Sequence, residues 1–442
     1  MPLKSSFYNH YAATGDGSAI VFNRYWGSVA VFDAADASAL EAGTLVRLDA
    51  STLASMEDAG FVVDAATNEI DVAHEQYLRR KATNSVFNLT MEMTQACNLA
   101  CPFCYQNSYR DDTPITDGGL DNVLRYMTSV LEEQKRPFTD VVFRTIGGEP
   151  LMQKAKVLDG VTRGAEIAKR FGVNFHPQID TNGLLVDESV VRAMRSISIT
   201  LTNKADHDKS RIRHNGSGTY DTILKILGKL APVFNDHQTI LSIRYNANAF
   251  NAKYAAEVYK MIKGLGITHT EFELHNTVQY GYNALAGSMS GDDFKRLYME
   301  IIALKVQHGE VVTDFPRPTF SPCSAYTPFN VKFTATGQLA ACDAMHTARG
   351  SADELVADID KHGEIFHEVA SHDPFLHPQC GGCPNVGICG GMLFCKTNEN
   401  VPDNNPCDFL PFDLDEFLRF FVKHYPDNPS LFDLGPEPAV NA

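Results

Sequence analysis

From residue 85 onward the chain alternates between two patterns of apolar and polar positions. One is a short run rich in β-branched and aromatic residues. The other is a longer stretch with apolar residues three and four apart. The short runs predict strands at Val86–Met93, Asp140–Thr145, Asn174–Asp180, Ser196–Leu201, Thr239–Asn246 and Glu271–His275. The longer stretches predict amphipathic helices near 118–134, 155–170, 187–195, 219–234 and 252–264, with one more at about 291–307. Strands and helices in strict alternation imply a parallel sheet with right-handed crossovers, an α/β architecture.

Residues 1–82 follow another pattern. Ser18 to Asn23 and Gly27 to Asp33 read as short strands joined through Arg24, Tyr25 and Trp26. A helix from about Ala35 to Ala42 follows, then one that starts at Asp49, an N-cap, and stops at Gly60, suited to a left-handed C′ position. A third runs from about Glu69 to Arg80 with Ile70, Ala73, Tyr77 and Leu78 on one face. Two strands and three short helices make a winged-helix pattern. Beyond residue 310, Val331–Cys342 reads as a hairpin turning at Gly337. The expected division is a winged-helix-like peptide recognition module at 1–84, a β/α core at 85–310, a cysteine-rich domain at 311–425 and a tail at 426–442.

Size and charge narrow the function. A chain of 442 residues exceeds what one hydrophobic core organises. The net charge of −16 argues against nucleic acid, since phosphate binding needs a concentrated basic surface. No apolar run of about 18 residues is present, and the N-terminus lacks a signal-peptide h-region, so a cytoplasmic protein with no membrane span is expected. Ten cysteines in a reducing compartment point to metal ligands before disulfides.

Three of the cysteines, Cys97, Cys101 and Cys104, form a C-x3-C-x2-C run with Phe103 and Tyr105 flanking the last. Three thiolates can hold a cubane iron–sulfur cluster and leave one iron open; half a zinc site and inert buried thiols are the competing readings. The run resembles the signature of the radical S-adenosylmethionine (radical SAM) superfamily. That resemblance implies an open (β/α)6 partial barrel, TIM-like, with the working groups at the C-terminal strand ends. It also implies SAM chelated by the open iron and cleaved to a 5′-deoxyadenosyl radical that abstracts hydrogen from substrate. By the same resemblance Gly147, Gly148, Glu149 and Pro150 hold the methionine amino group, and Phe103 meets the adenine. Thr200 stands where relatives carry a serine that reaches SAM, in a segment, Ile199–Asn203, that departs from the usual I-S-[IL]-D-G. Asp180, Thr181, Asn182, Arg244, Asn246, Glu273 and His275 fall at the same barrel mouth. Thr181 and Asn182 are read as cofactor contacts, and Arg244 and Asn246 as partners of the SAM carboxylate and ribose.

The remaining cysteines are Cys323, Cys342, Cys380, Cys383, Cys389, Cys395 and Cys407. Their spacing resembles the SPASM domain, which carries two auxiliary [4Fe–4S] clusters in radical SAM enzymes acting on peptides; Leu393, not Cys395, occupies the usual place of one cysteine. The resemblance assigns Cys380, Cys383, Cys389 and Cys407 to an outer cluster, and Cys323, Cys342 and Cys395 to an inner one that is a thiolate short, its last iron open to a substrate cysteine or closed by another side chain. Paired zinc sites are the alternative. Asp343 resembles the proton acceptor of anaerobic sulfatase maturases. His346 and His275 read as satisfied core or surface histidines. Together these features imply a radical SAM peptide maturase with three clusters. It would grip the leader of a ribosomal precursor peptide by strand addition and form a thioether or carbon–carbon cross-link, with flavodoxin or ferredoxin as reductant. A sulfatase-maturase-like dehydrogenase, a peptide epimerase and an iron–sulfur electron carrier remain as alternatives.

Overall fold

A computed structural model describes residues 2–104, 106, 112–133, 138–277, 287, 289–311, 314–320, 329–340, 350, 354, 371–391 and 407–425. Cys323, Cys342, Asp343, His346 and Cys395 lie outside the described residues.

The chain begins with β1 (Leu3–Ser5), β2 (Asn9–Ala13), β3 (Ala19–Asn23) and β4 (Val29–Phe32). Then come α1 (Ala34–Glu41), α2 (Ala50–Asp58), β5 (Val62–Asp64) and α3 (Glu69–Thr83). β2, β3 and β4 form an antiparallel sheet in that order, and β1 pairs antiparallel with β5. The expected two-strand module therefore has five strands. The missed ones are short or polar. β2 starts at Asn9, which is buried because its Nδ2 donates to Phe61 O (2.7 Å) and its Oδ1 accepts from Asn23 Nδ2 (2.9 Å). A satisfied buried amide mimics a loop residue in the sequence. The helices match expectation. Asp49 accepts from Ser51 N and Thr52 N at the start of α2, and Gly60 beyond it has φ +77°.

The core follows as β6 (Val86–Glu92), α4 (Asp117–Glu133), β7 (Asp140–Ile146), α5 (Lys154–Phe171), β8 (Asn174–Thr181), α6 (Glu188–Ala193) and β9 (Ser196–Thr200). It continues with α7 (Lys204–Ser210), α8 (Tyr220–His237), β10 (Ile240–Ala247), α9 (Ala255–Lys263), β11 (Thr270–Asn276) and α10 (Gly291–Gln307). β6 to β11 lie side by side in chain order, every pair parallel. Each strand feeds Phe, Leu, Ile, Val or Met into one core, where Leu89, Phe143, Ile179, Ile197 and Ile243 are fully buried. Burying one such side chain is worth roughly 1.5–3 kcal/mol, so this face fixes the strand register. The sequence pattern missed α7: its stretch KADHDKS has no apolar stripe, and His207 is its one buried residue.

The C-terminal segment supplies β12 (Asn330–Phe333), β13 (Leu339–Ala340), α11 (Val386–Cys389) and α12 (Leu414–His424). β12 and β13 form the expected hairpin, with Gly337 at φ +80°. β12 also pairs parallel with β6, so the hairpin extends the barrel sheet to eight strands. Beneath that junction Lys332 Nζ stands 3.7 Å from Glu92 Oε2, both side chains nearly water-free. α12 packs its Phe417 and Phe421 against Ala12, Ile20 and Phe22 of the N-terminal sheet, with Phe315 between. Among the described residues no helix is long and apolar enough to cross a membrane.

Candidate active site at the barrel mouth

The loop carrying Cys97, Cys101 and Cys104 leaves β6 and is fastened from three directions. The turn after β7 comes first. Gly148 N donates to Thr94 O (2.8 Å) and Glu149 N to Ala96 O (2.8 Å). A Cβ on Gly147 would stand 2.3 Å from Thr94 O, and one on Gly148 2.3 Å from Gln95 O and 2.4 Å from Ala96 O. The paired glycines thus let backbone approach backbone, holding the stem of the cysteine loop.

Glu149 supplies the second tie. Its carboxylate is fully buried and spent on the protein. Oε1 accepts from Leu151 N (3.0 Å) and Thr181 Oγ1 (2.7 Å), and Oε2 from Asn182 N (2.8 Å). Burial pushes its pKa up, while these donors and the Arg211 charge pull it down. Glu149 therefore works as a strut between the ends of β7 and β8; the carbonyls of its turn remain as acceptors. Pro150 opens the short 3-10 turn Pro150–Gln153, where its missing N–H costs nothing. Asn182 completes this tie: its Nδ2 donates to Asn98 Oδ1 (2.6 Å) and lies 3.8 Å from Cys97 Sγ.

The third tie is one that sequence reasoning missed. After α7, Ile212 O accepts from Ala100 N (2.8 Å), Arg213 bridges Leu99, and His214 Nε2 donates to Cys97 O (2.9 Å). Arg211, next in line, has a buried Nε with no hydrogen-bond partner among the described residues. Its charge reaches both Cys101 and Glu149. The available signal was a cluster of basic residues, Arg211, Arg213 and His214, in an acidic chain.

The three cysteines are half-buried and near enough to influence one another. Burial pushes the Cys101 thiol up to about 11; Cys97 and Cys104 add to this and Arg211 opposes it. Leu99 N donates to Cys97 Sγ (3.4 Å), a contact of the kind that tunes thiolate-bound clusters. Phe103 sits half-buried in the turn between Cys101 and Cys104. Among the described residues no three His, Cys, Asp or Glu side chains converge as ligands of a single metal ion. The fit of a metal group rests on the donors themselves: thiols alone, at a strand end, with N–H groups aimed at sulfur. They suit an iron–sulfur cluster.

Thr200, Arg244 and Asn246 occupy the same end of the sheet. Arg244 is paired with Thr200 on one side and Glu273 on the other, and Asn246 with His275. Arg244 joins a row of charges along the barrel's inner wall. Arg144 binds Asp180, Arg244 Nη1 lies 3.7 Å from Asp180 Oδ2, and Arg244 Nε lies 3.9 Å from Glu273 Oε2. Hydrogen bonding from His275, helped by Ser242 and Arg244, pulls Glu273 down to about 2 despite burial. Arg244 Nε is also buried without a hydrogen bond. Arg244 is thus held electrostatically between two carboxylates.

In the C-terminal segment, Cys380, Cys383 and Cys389 follow one another through tight turns. Cys383 N donates to Cys380 O (3.0 Å), Val386 N to Cys383 O (3.2 Å) and Cys389 N to Asn385 O (2.8 Å). Burial pushes the Cys380 thiol up to about 11, with Cys389, Cys383 and Cys407 adding to the shift. Cys407, distant in sequence, thus comes back to the same place.

Residues 91–266 match the sequence model of the Radical SAM superfamily. That stretch runs from the end of β6 past the end of α9, within the parallel sheet of the partial barrel. Over 341 residues the chain is 25% identical to the serine-type anaerobic sulfatase-maturating enzyme of Klebsiella aerogenes, covering 70% of this chain and 79% of that protein. Among solved structures, "Native anSMEcpe with bound AdoMet" superposes with a TM-score of 0.58 at 16% identity, covering 79% of this chain and 99% of that one. Streptococcus suis SuiB bound to precursor peptide SuiA gives 0.51 at 14% identity, covering 88% and 95%. At these identities the two structures speak for the fold.

Proposed function

We propose that the chain is a peptide-modifying radical SAM enzyme that forms a side-chain cross-link, thioether or carbon–carbon, in a ribosomal precursor peptide. The observation that carries this reading is the N-terminal module joined to the barrel. Among the described residues β4 pairs with β3 alone, and its residues Val29, Ala30, Val31 and Phe32 form an apolar edge. Such an edge is an aggregation hazard unless a strand covers it, and an extended leader peptide is a natural cover.

In this reading Cys97, Cys101 and Cys104 hold a [4Fe–4S] cluster. SAM bound there supplies a carbon radical able to remove hydrogen from an unactivated C–H bond. The chain's own residues bind and shield. The carbonyls of Gly147–Glu149 accept from the SAM ammonium, Phe103 meets the adenine, and Thr200 and Asn246 serve the ribose end. Arg211, which has no carboxylate within ion-pair distance among the described residues, fits the SAM carboxylate better than Arg244, whose charge is held by Asp180 and Glu273. Cys380, Cys383, Cys389 and Cys407 hold an auxiliary cluster that accepts the surplus electron. Cys323, Cys342 and Cys395 hold a third. A flavodoxin- or ferredoxin-like partner returns the electron consumed in SAM cleavage.

A second reading, a sulfatase-maturase-like dehydrogenase with Asp343 as base, is favoured by the sequence relatives. Mass spectrometry of a candidate precursor peptide co-expressed with the chain separates the possibilities. Loss of two hydrogens with a new cross-linked fragment supports the proposal; a formylglycine in a sulfatase peptide supports the second reading. An unchanged mass with an inverted residue identifies an epimerase.

A further inference from the structure

The turn joining β3 to β4 carries Arg24, Tyr25 and Trp26 away from the N-terminal sheet and into the C-terminal segment. Tyr25 packs edge-on to Phe320 with ring centroids 5.1 Å apart. Phe320 N donates to Gly387 O (2.8 Å), and its ring fills the space where a Gly387 Cβ would stand, 2.8 Å away. Gly387 lies in α11, which runs directly from the turn of Cys383. From the other side α3 grips the approach to Cys380. His74 Nε2 meets Asp373 Oδ2 (2.7 Å) and stacks on Phe375, while Tyr77 Oη and Lys81 Nζ donate to His372 O (3.2 and 2.7 Å). The N-terminal module thus forms a wall of the outer cysteine site.

Arg24 is the cation in that wall. Its Nη2 donates to His10 Nδ1 (2.7 Å), and His10 Nε2 donates in turn to Asp415 Oδ1 (2.6 Å) in the first turn of α12. With Nδ1 accepting and Nε2 donating, His10 is neutral, consistent with burial and Arg24 holding its pKa down. The guanidinium keeps its full charge while its Nε, buried, has no hydrogen-bond partner among the described residues. Burial opposes the charge of Arg24, and Cys383 and Asp415 are the groups that support it.

We propose that Arg24, carried by the β3–β4 turn into the wall of the outer cysteine site against Phe320 and α11, is a cation that raises the reduction potential of the cluster held there. The inference rests on the reading that Cys380, Cys383, Cys389 and Cys407 bind an auxiliary cluster. On reduction by dithionite such a cluster gains one electron and becomes more negative by one charge. A fixed positive charge alongside favours the reduced form. The module that grips the leader then also sets how readily the cluster accepts the electron left after cross-linking.

The test is an EPR-monitored potentiometric titration of the reconstituted full chain in a Cys101→Ala/Cys342→Ala background, which removes the signals of the SAM site and of the third cluster. Arg24→Gln is expected to raise the oxidised-to-reduced ratio at the unsubstituted midpoint about tenfold, equivalent to ~59 mV for one electron. Arg24→Lys, which keeps the charge, is expected to restore most of the shift. Asp415→Asn, which removes the opposing carboxylate and leaves Arg24 in place, is expected to shift the ratio the other way. If Arg24→Gln fails to assemble a cluster, the sign of the Asp415→Asn shift decides. Unmoved midpoints at full iron and sulfide content overturn the role of Arg24 alone, as do shifts of the same sign in Arg24→Gln and Asp415→Asn. A Cys101→Ala/Cys342→Ala protein without iron overturns the auxiliary-cluster reading as well.

Discussion

The two cysteine regions are held by different means. The Cys97–Cys104 loop is fastened from neighbouring strand ends, by backbone from the turn after β7 and the segment after α7 and by the side chains of Asn182 and His214. The Cys380–Cys389 turns are held by side chains of a module some three hundred residues earlier, through His74, Tyr77, Lys81 and Tyr25. The first arrangement comes with the β/α topology, because parallel strands deliver their ends to one place. The second depends on long-range packing of two separately patterned segments. A defect in the barrel should therefore disable the first site alone, and loosening the N-terminal module should damage the second.

Glycines sharpen that contrast most. Gly148→Ala puts a methyl into the Gln95 and Ala96 carbonyls, so SAM cleavage should fall at least a hundredfold with the cysteine loop displaced; 5′-deoxyadenosine release measures it. In the second region Gly381→Ala meets Phe375 O at 2.4 Å, whereas its neighbour Gly382 has nothing within 4 Å. Gly381→Ala should lose the iron of that turn and Gly382→Ala should keep it, by iron analysis. Equal losses would break the account of how the turn is held.

The next effect crosses the two regions. Lys332→Met leaves the buried Glu92 carboxylate with Gln95 Nε2 as donor but without the Lys332 charge beneath the junction of hairpin and barrel. Breaking a buried pair costs about 3–5 kcal/mol, read as a lowered denaturation midpoint. Unchanged stability would mean that the hairpin is not integral to the sheet.

Acid should act on both regions through one buried imidazole each. Burial, with Arg211 adding, pulls His207 beside the first site down to about 3. Burial, with Lys81 adding, pulls His372 beside the second down to about 4. Unfolded, each takes up a proton near pH 6.5. Their contribution to stability is therefore full above pH 6.5. It fades as pH falls through that value toward 3 for His207 and toward 4 for His372. His207→Asn should flatten this acid loss more than His372→Gln, in urea melts at pH 7 and pH 4.5. The smallest effect comes from Glu149→Gln, which keeps the strut's shape and one acceptor oxygen for Leu151 N and Thr181 Oγ1 but turns an NH2 donor toward Asn182 N. About 1–3 kcal/mol of stability is at stake.

Much of this was legible in the sequence, for a physical reason. Each core strand buries one face in a shared core, so Val86–Glu92 through Thr270–Asn276 announce themselves by apolar runs, and the cysteine loop and Gly147–Pro150 fall after them. What the pattern hid was polar and local or apolar and distant. α7 and Arg211 belong to a helix and turn without an apolar stripe. β2 begins with a buried asparagine whose partners lie 14 and 52 residues away. The likeness of Gly147–Pro150 to a SAM-binding turn drew attention to ligand contacts, yet Gly148 and Glu149 prove to hold the cysteine loop in place. No spacing rule could announce that the turn at Arg24 reaches the neighbourhood of Cys383.

The central claim is that Cys97, Cys101 and Cys104 create a site where SAM is reductively cleaved. Its most direct test compares the anaerobically reconstituted protein with its Cys101→Ala variant, each given dithionite and SAM. The account predicts 5′-deoxyadenosine from the unsubstituted chain, none from the variant, and iron retained in the variant at Cys380, Cys383, Cys389 and Cys407. Equal 5′-deoxyadenosine from both proteins would contradict it.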